Sequence, residues 1–110
     1  MGLFSKPKHK ELTPAELKDM LDRGEVQVID VREPDEFSQG HIPGALNLPL
    51  SSFSVDKLPE SSGKILVLNC LGGKRSGIAL DQCSVAQSVV DTHLAGGFGA
   101  WAQAGLPVAR

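Results

Sequence analysis

Cys70 and the loop after it form the part of the sequence best suited to chemistry. Four consecutive apolar residues, 65–68, precede the cysteine and predict a strand that is buried on both faces. A helical pattern begins a few residues later, so we expect the thiol beside free N–H groups and the positive end of a helix dipole. Gly72 and Gly73 let the backbone curl until several N–H groups converge on one anion. The pattern therefore predicts an ionised, reactive thiol.

Ionisation of Cys70 at neutral pH requires a large electrostatic preference for the anion. A free cysteine has a pKa near 8.5, and lowering it by two units takes roughly 2.7 kcal/mol. A helix N-terminus supplies about 1–2 kcal/mol of this, and we assign the rest to loop N–H groups, Lys74 and Arg75. The alternative is a small buried hydrophobe, as isolated cysteines commonly are. The glycines and cations that follow favour the reactive thiol, because a structural cysteine needs neither.

Strand and helix patterns alternate around this loop. A helix is predicted to start at Thr13 and Pro14, where Glu16 completes a capping box, and a short second helix is predicted to start at Pro34. The remaining predicted elements are a strand at 26–30, a short strand within 40–49, the central strand from residue 65, a helix from Ser76 to about Gln87 and a strand at 89–94. Such alternation is typical of an α/β fold with a parallel sheet covered on both faces.

Length and composition limit the possible classes of protein. The 110 residues suffice for one domain. A formal net charge of −2 argues against general nucleic-acid binding, and no apolar run approaches the about 18 residues of a membrane span. Residues 1–10 contain lysines and lack the apolar centre of a secretory signal. We interpret them as a disordered N-terminal arm, and residues 11–110 as the domain.

Cys70 and Cys83 are predicted to be free thiols. If the segment between them is helical, they lie roughly 12 Å or more apart along its axis. A disulfide needs Cα atoms within about 7 Å. Free thiols favour a reducing compartment and a cytoplasmic location. Neither the cysteines nor the histidines show metal-ligand spacing, so we predict no metal and no cofactor.

Three segments of the chain resemble the rhodanese-like sulfurtransferases. Residues 70–76, Cys-Leu-Gly-Gly-Lys-Arg-Ser, resemble the active-site loop of that family, C-x-x-G-x-R-S. Residues 30–47 are similar to its N-terminal signature, and residues 96–107 are similar to its closing glycine turn and tryptophan-bearing helix. Together the resemblance covers the chain from Leu12 to Val108. It implies a rhodanese-like domain with about five strands in a parallel sheet, flanked by helices on both faces.

The resemblance also implies a sulfurtransferase with a ping-pong mechanism. The Cys70 thiolate would attack the outer sulfur of thiosulfate or a similar donor and keep that sulfur as a persulfide. Cyanide, a thiol or a protein acceptor would then remove it. We expect a small anionic donor and a thiol or protein acceptor as partners, with no nucleic acid and no membrane. The residues predicted to bind substrate are Leu71, Gly72, Gly73, Lys74, Arg75 and Ser76.

The loop residues have different expected roles. N–H groups from Leu71 to Arg75 would hold the persulfide anion, as an oxyanion hole holds an alkoxide. Lys74 and Arg75 would attract the anionic donor, and the Arg75 guanidinium can bind two of its oxygens at once. Ser76 is expected to cap the following helix or to contact the donor.

Two other functions also use a reactive cysteine in such a loop. Cysteine-dependent phosphatases and some arsenate reductases use C-x5-R, whose wider loop fits a tetrahedral oxyanion. Here the arginine comes one residue sooner, as Cys70-x4-Arg75, and the smaller loop suits a single sulfur atom. The other alternative is a persulfide carrier or sensor that works only with a partner.

Polar and aromatic residues outside the loop are assigned structural roles. Asp30 and Arg32 stand two apart at a strand end, which favours a structural ion pair, and His41 is expected to bond the backbone. One departure from the family is Gln87-Ser88, where a glycine turn is usual. Further residues expected in the core or satisfied near it are Cys83, His93 and Trp101.

Overall fold

The computed structural model describes residues 8–110, which form a five-stranded parallel sheet covered by helices. The strands are β1 (Lys10–Leu12), β2 (Val26–Asp30), β3 (Leu46–Asn47), β4 (Ile65–Asn69) and β5 (Thr92–Leu94). They lie in the order β1-β5-β4-β2-β3, and every neighbouring pair is parallel. The predicted α/β fold with about five parallel strands is thereby confirmed. The central strand, β4, brings Cys70 to the carboxyl edge of the sheet.

Helices cover both faces, because the side chains of each strand alternate between two apolar cores. The helices are α1 (Pro14–Asp22), α2 (Pro34–Gln39), α3 (Lys74–Val85) and α4 (Gly97–Gln103), with 3₁₀ turns at Leu50–Ser52 and Val55–Lys57. The core on the α3 side includes Leu68 and Cys83. The opposite core, against α1 and α4, includes Leu17, Val67 and Trp101. The site therefore lies at the end of a strand that is packed on both faces.

Local sequence signals account for the starts of the first two helices. The Glu16 N–H donates to the Thr13 hydroxyl at 3.1 Å, and the Thr13 N–H donates to the Glu16 carboxylate at 2.8 Å. This arrangement is the predicted capping box of α1. Pro34 begins α2, also as predicted.

The helix after the loop begins and ends two residues earlier than predicted. α3 starts at Lys74 rather than Ser76, because Gly73 takes a left-handed φ of +110° and ends the loop there. It stops at Val85 rather than Gln87, and Gln87 makes the turn with a φ of +59°. β5 begins at Thr92 instead of residue 89, because the turn after α3 extends further than predicted.

The predicted boundary between arm and domain, at residue 10, falls inside β1, because Lys10 pairs with Thr92 of β5. Lys8 and His9 also contact the domain, since both lie within 3.0 Å of the Asp81 carboxylate. Residues 1–7 of the predicted arm lie outside the described residues. Over the range 8–110, no helix is both long and apolar enough to cross a membrane.

Candidate active site

The loop after β4 folds around the sulfur of Cys70. The N–H of Gly73 donates to the Sγ of Cys70 at 3.0 Å. The Oγ of Ser76, in the first turn of α3, lies 3.6 Å from the same sulfur. Because α3 starts here, its unpaired N–H groups and the positive end of its dipole meet at the thiol. The structure thus brings together the thiol, a glycine N–H and a helix N-terminus, as the sequence predicts.

The start of α4 fixes the direction of the loop's peptide groups. The carbonyl of Cys70 accepts a hydrogen bond from the N–H of Phe98 at 2.7 Å, and the carbonyl of Leu71 accepts one from Gly99 at 2.9 Å. These contacts require close approach at Gly97, where an added Cβ would lie 2.4 Å from the Cys70 oxygen and 2.6 Å from the Leu71 oxygen. Since the carbonyls are turned toward α4, the loop N–H groups remain available to the sulfur.

Hydrogen bonds lower the pKa of Cys70 below its ordinary value of 9.0. Burial by itself raises this pKa, but the N–H and hydroxyl of Ser76, together with the N–H groups of Gly73 and Gly72, outweigh it. The direction agrees with the sequence prediction. The predicted loop N–H groups are among the leading favourable contacts, whereas the charges of Lys74 and Arg75 are not.

Burial separates Cys70 from an ordinary surface thiol. Cys70 is only 1% exposed and packs with Leu68 and Ala79 in the core on the α3 side. Cys83 lies in the same core at 0% exposure, and burial raises the pKa of its thiol. Both cysteines are free, as predicted. Burial alone would fit the structural alternative for Cys70, but the N–H bond to its sulfur distinguishes it from Cys83.

The two loop cations occupy different environments. Arg75 binds Glu36 of α2 in a bidentate pair, with nitrogen–oxygen distances of 2.7 and 3.0 Å. The hydrogen bond from Arg75 holds the pKa of Glu36 at about 2. Lys74 is exposed, and no salt bridge to it is formed among residues 8–110. The guanidinium expected to bind the donor is therefore already paired, while the ammonium faces solvent.

Ser76 connects the thiol to a buried histidine. Its hydroxyl lies 2.7 Å from the Nδ1 of His93 and 3.2 Å from the carbonyl oxygen of Gly73. The Nε2 of His93 lies 3.5 Å from a carboxylate oxygen of Glu11. Ser76 is the third residue of α3, so it does not cap the helix; Gly73 occupies that position. Sequence reasoning assigned no role to Glu11 and treated His93 as a satisfied strand residue.

Comparison with known proteins decides the family. The rhodanese-like domain model matches residues 13–104. The chain belongs to the rhodanese-like family. This rhodanese-like chain is 42% identical over 99 residues to an uncharacterized protein of Synechocystis sp., covering 90% of the chain and 55% of that protein. The chain thus spans about half the length of that relative.

Two further proteins match this rhodanese-like chain over most of their length. A protein named sulfurtransferase from Allochromatium vinosum is 33% identical over 89 residues, which are 81% of this chain and 83% of that protein. A rhodanese-related protein from Thermoplasma volcanium has a TM-score of 0.80 and 28% identity, and the match covers 92% of this chain and 98% of that one. The resemblance inferred from the three motifs is confirmed.

The rhodanese-like signature residues outside the loop hold the scaffold, as predicted. Arg32 and Asp30 form a buried ion pair at 2.8 Å. The Nδ1 of His41 lies 2.9 Å from the carbonyl oxygen of Phe37. Trp101 is buried, and its indole N–H donates to a backbone carbonyl at 2.7 Å.

Over the described part of the chain, no group of three His, Cys, Asp or Glu residues is arranged to hold a metal ion.

Proposed function

We propose that this rhodanese-like domain is a sulfurtransferase whose nucleophile is Cys70. The observation that carries the proposal is the hydrogen bond from the Gly73 N–H to Sγ at 3.0 Å, with the lowered pKa of the Cys70 thiol. A thiolate is the nucleophilic form of cysteine, so these contacts favour attack on an electrophilic sulfur. The name of the Allochromatium relative, sulfurtransferase, supports the same class of reaction.

The reaction proceeds in two displacements. The Cys70 thiolate attacks the outer sulfur of thiosulfate or a similar donor, an S–S bond forms, and the donor's own S–S bond breaks as sulfite leaves with the electron pair. The product is a persulfide anion on Cys70. Cyanide, a thiol or a protein acceptor then attacks the terminal sulfur, and the thiolate leaves. The loop N–H groups hold the negative charge of the thiolate and of the persulfide.

The donor meets the two cations in different ways. Lys74 is exposed at the start of α3, so its ammonium attracts the anionic donor. Arg75 already binds Glu36 at 2.7 Å, and it contributes chiefly by holding α2 against the first turn of α3. We therefore assign donor attraction to Lys74 and positioning to Arg75.

Access to the buried sulfur requires the loop to move. Cys70 is 1% exposed, so the donor reaches Sγ only when the loop shifts outward. The space around Gly72 and Gly73 is open, because a Cβ at either position would meet no heavy atom within 4 Å. Glycine also permits the backbone rotations that such a shift needs.

Mass spectrometry after incubation with thiosulfate tests the proposal. We expect the peptide that contains Cys70 to gain one sulfur atom and the peptide that contains Cys83 to gain none. Added cyanide should remove the sulfur and yield thiocyanate. Cys70→Ser should abolish both steps, while the matched control Cys83→Ala keeps them. Absence of a sulfur on wild-type Cys70 would refute the proposal, and a persulfide without steady-state turnover would favour the carrier.

A further inference from the structure

We propose that His93 is a positioning residue that takes up the thiol proton of Cys70 through Ser76 and holds it, as an imidazolium beside Glu11, while Cys70 is a thiolate. The inference rests on the proposed function, because it assigns the route by which that nucleophile is ionised. The atoms form a continuous chain. Distances along it are 3.6 Å from Sγ to the Ser76 Oγ, 2.7 Å from that oxygen to the His93 Nδ1 and 3.5 Å from Nε2 to Glu11.

The sheet topology builds this chain from three elements. β1 and β5 are adjacent, and their register places Glu11 directly opposite His93. Leu94 belongs to the core on the α1 and α4 side, so its neighbour His93 faces α3. The first turn of α3 supplies Ser76 to the gap between the histidine and the thiol. The contact of His93 with Glu11 follows from strand order rather than from proximity in the sequence.

Burial keeps the His93 imidazole neutral, and Glu11 favours its protonation. The residue is 7% exposed, and burial lowers its pKa, which keeps the ring neutral near neutral pH. The Glu11 carboxylate acts in the opposite direction and stabilises the imidazolium once it forms, while His9 disfavours it. A cavity of about 300 Å³ beside α3 gives the ring contact with solvent. The charged and titratable groups around this cavity are Lys8, His9, Glu11, Lys74, Asp81 and His93.

The transfer moves one proton and leaves the hydroxyl intact. In the thiol state, the S–H of Cys70 donates to the Ser76 oxygen. The Ser76 hydroxyl donates to Nδ1 of His93, which is the nearer of its two acceptors. The thiol proton passes to the oxygen while the hydroxyl proton passes to Nδ1, giving a thiolate and an imidazolium. The imidazolium keeps the proton, because its Nε2 lies 3.5 Å from the Glu11 carboxylate. No electron transfer and no further reactant are involved.

The pH dependence of Cys70 alkylation by iodoacetamide, followed by mass spectrometry, tests this route. His93→Gln keeps a polar side chain near Ser76 but cannot take the proton. We expect its alkylation midpoint to rise by about 0.5–1 pH unit, which makes labelling about threefold to tenfold slower at a pH below both midpoints. Glu11→Gln, at a side chain that is 38% exposed, should shift the midpoint in the same direction by less.

A matched histidine variant and a separate sulfur readout keep the outcomes distinct. His41→Gln replaces a half-buried histidine whose side chain, among residues 8–110, hydrogen-bonds only the backbone of Phe37, and its midpoint should equal the wild-type value. A folded His93→Gln protein with the wild-type midpoint, or an equal shift in His41→Gln, would overturn the route while leaving Cys70 as nucleophile. If wild-type Cys70 resists alkylation at every pH, the proposed function itself fails.

Discussion

Replacing Gly97 by alanine should displace the loop after β4, although Gly97 lies in α4 and not in that loop. Gly97 has a φ of +61°, a conformation that costs an alanine about 1–2 kcal/mol. The new Cβ would lie 2.4 Å from the Cys70 oxygen, so the loop must retreat by about 1 Å to reach an ordinary contact of 3.4 Å. Overpacking of this kind costs about 1–3 kcal/mol. We therefore expect a loss of about 2–5 kcal/mol in the free energy of unfolding.

The same retreat should reach the thiol. It lengthens the 2.7 Å hydrogen bond from Phe98 to the Cys70 carbonyl and turns the loop N–H groups away from Sγ. A displacement of about 1 Å at a reacting group can reduce a rate by about 100-fold. We expect the pKa of Cys70 to rise, and thiosulfate-dependent persulfide formation at pH 7 to slow by about 10-fold to 100-fold.

Gly105→Ala is the matched control. Gly105 also has a left-handed φ, +76°, but a Cβ there would meet no heavy atom within 4 Å. This variant should lose about 1–2 kcal/mol through backbone strain alone and keep the wild-type alkylation rate of Cys70. Urea unfolding and iodoacetamide labelling of both variants provide the comparison. If Gly97→Ala loses no more stability than Gly105→Ala and alkylates at the wild-type rate, α4 does not position the loop and the reasoning is refuted.

Two further substitutions test the turn after α3 and the ion pair beside the loop. Gln87→Gly should raise the free energy of unfolding by about 0.5–1 kcal/mol, because Gln87 has a φ of +59°. Ala86→Gly, at a φ of −81°, should lower the free energy of unfolding by a similar amount. If urea unfolding shows that both variants change the stability in the same direction, this prediction is wrong. The Glu36 carboxylate, whose pKa falls from 4.5 to about 2, stabilises the fold above pH 4.5, and that stabilisation is lost as the pH falls from 4.5 through 2. Since this side chain is 32% exposed, we expect Glu36→Gln to lower the free energy of unfolding by only about 1–2 kcal/mol at pH 7 and by almost nothing near pH 2. Urea unfolding at both pH values measures this difference, with the exposed Glu60→Gln as the control. If Glu36→Gln differs from wild type equally at both pH values, or if Glu60→Gln shows the same pH dependence, the proposed effect of the Glu36 pKa on stability is excluded.

The features of the fold that depend on neighbouring residues are predictable from the sequence. The capping box of Thr13 and Glu16 and the proline at the start of α2 act over one helical turn, so both were predictable. The apolar run before Cys70 identified a strand buried on both faces, which proved to be the central strand. The start of α3 was misplaced because it depends on the φ of +110° at Gly73, and nothing in the local pattern fixes that angle.

The site contacts that were missed join residues far apart in the chain. Arg75 meets Glu36 across 39 positions, and His93 meets Glu11 only because β1 lies next to β5 at the edge of the sheet. Sequence periodicity shows that a strand exists but not which strand is beside it. The sequence therefore predicts that the Arg75 guanidinium binds the donor. Its partner in the structure is instead Glu36, an acid in the first turn of α2.

The contrast between the two cysteines shows what makes the loop chemically special. Cys70 and Cys83 lie in one apolar core and are equally hidden from solvent, so exposure predicts the same inert behaviour for both. Their pKa values nevertheless move in opposite directions, because at Cys70 hydrogen bonds outweigh the burial that raises the pKa of Cys83. Those bonds exist because Phe98 and Gly99 engage the loop carbonyls and leave its N–H groups for the sulfur. The closing glycine turn is thus part of the candidate active site, although it contributes no side chain to the proposed chemistry.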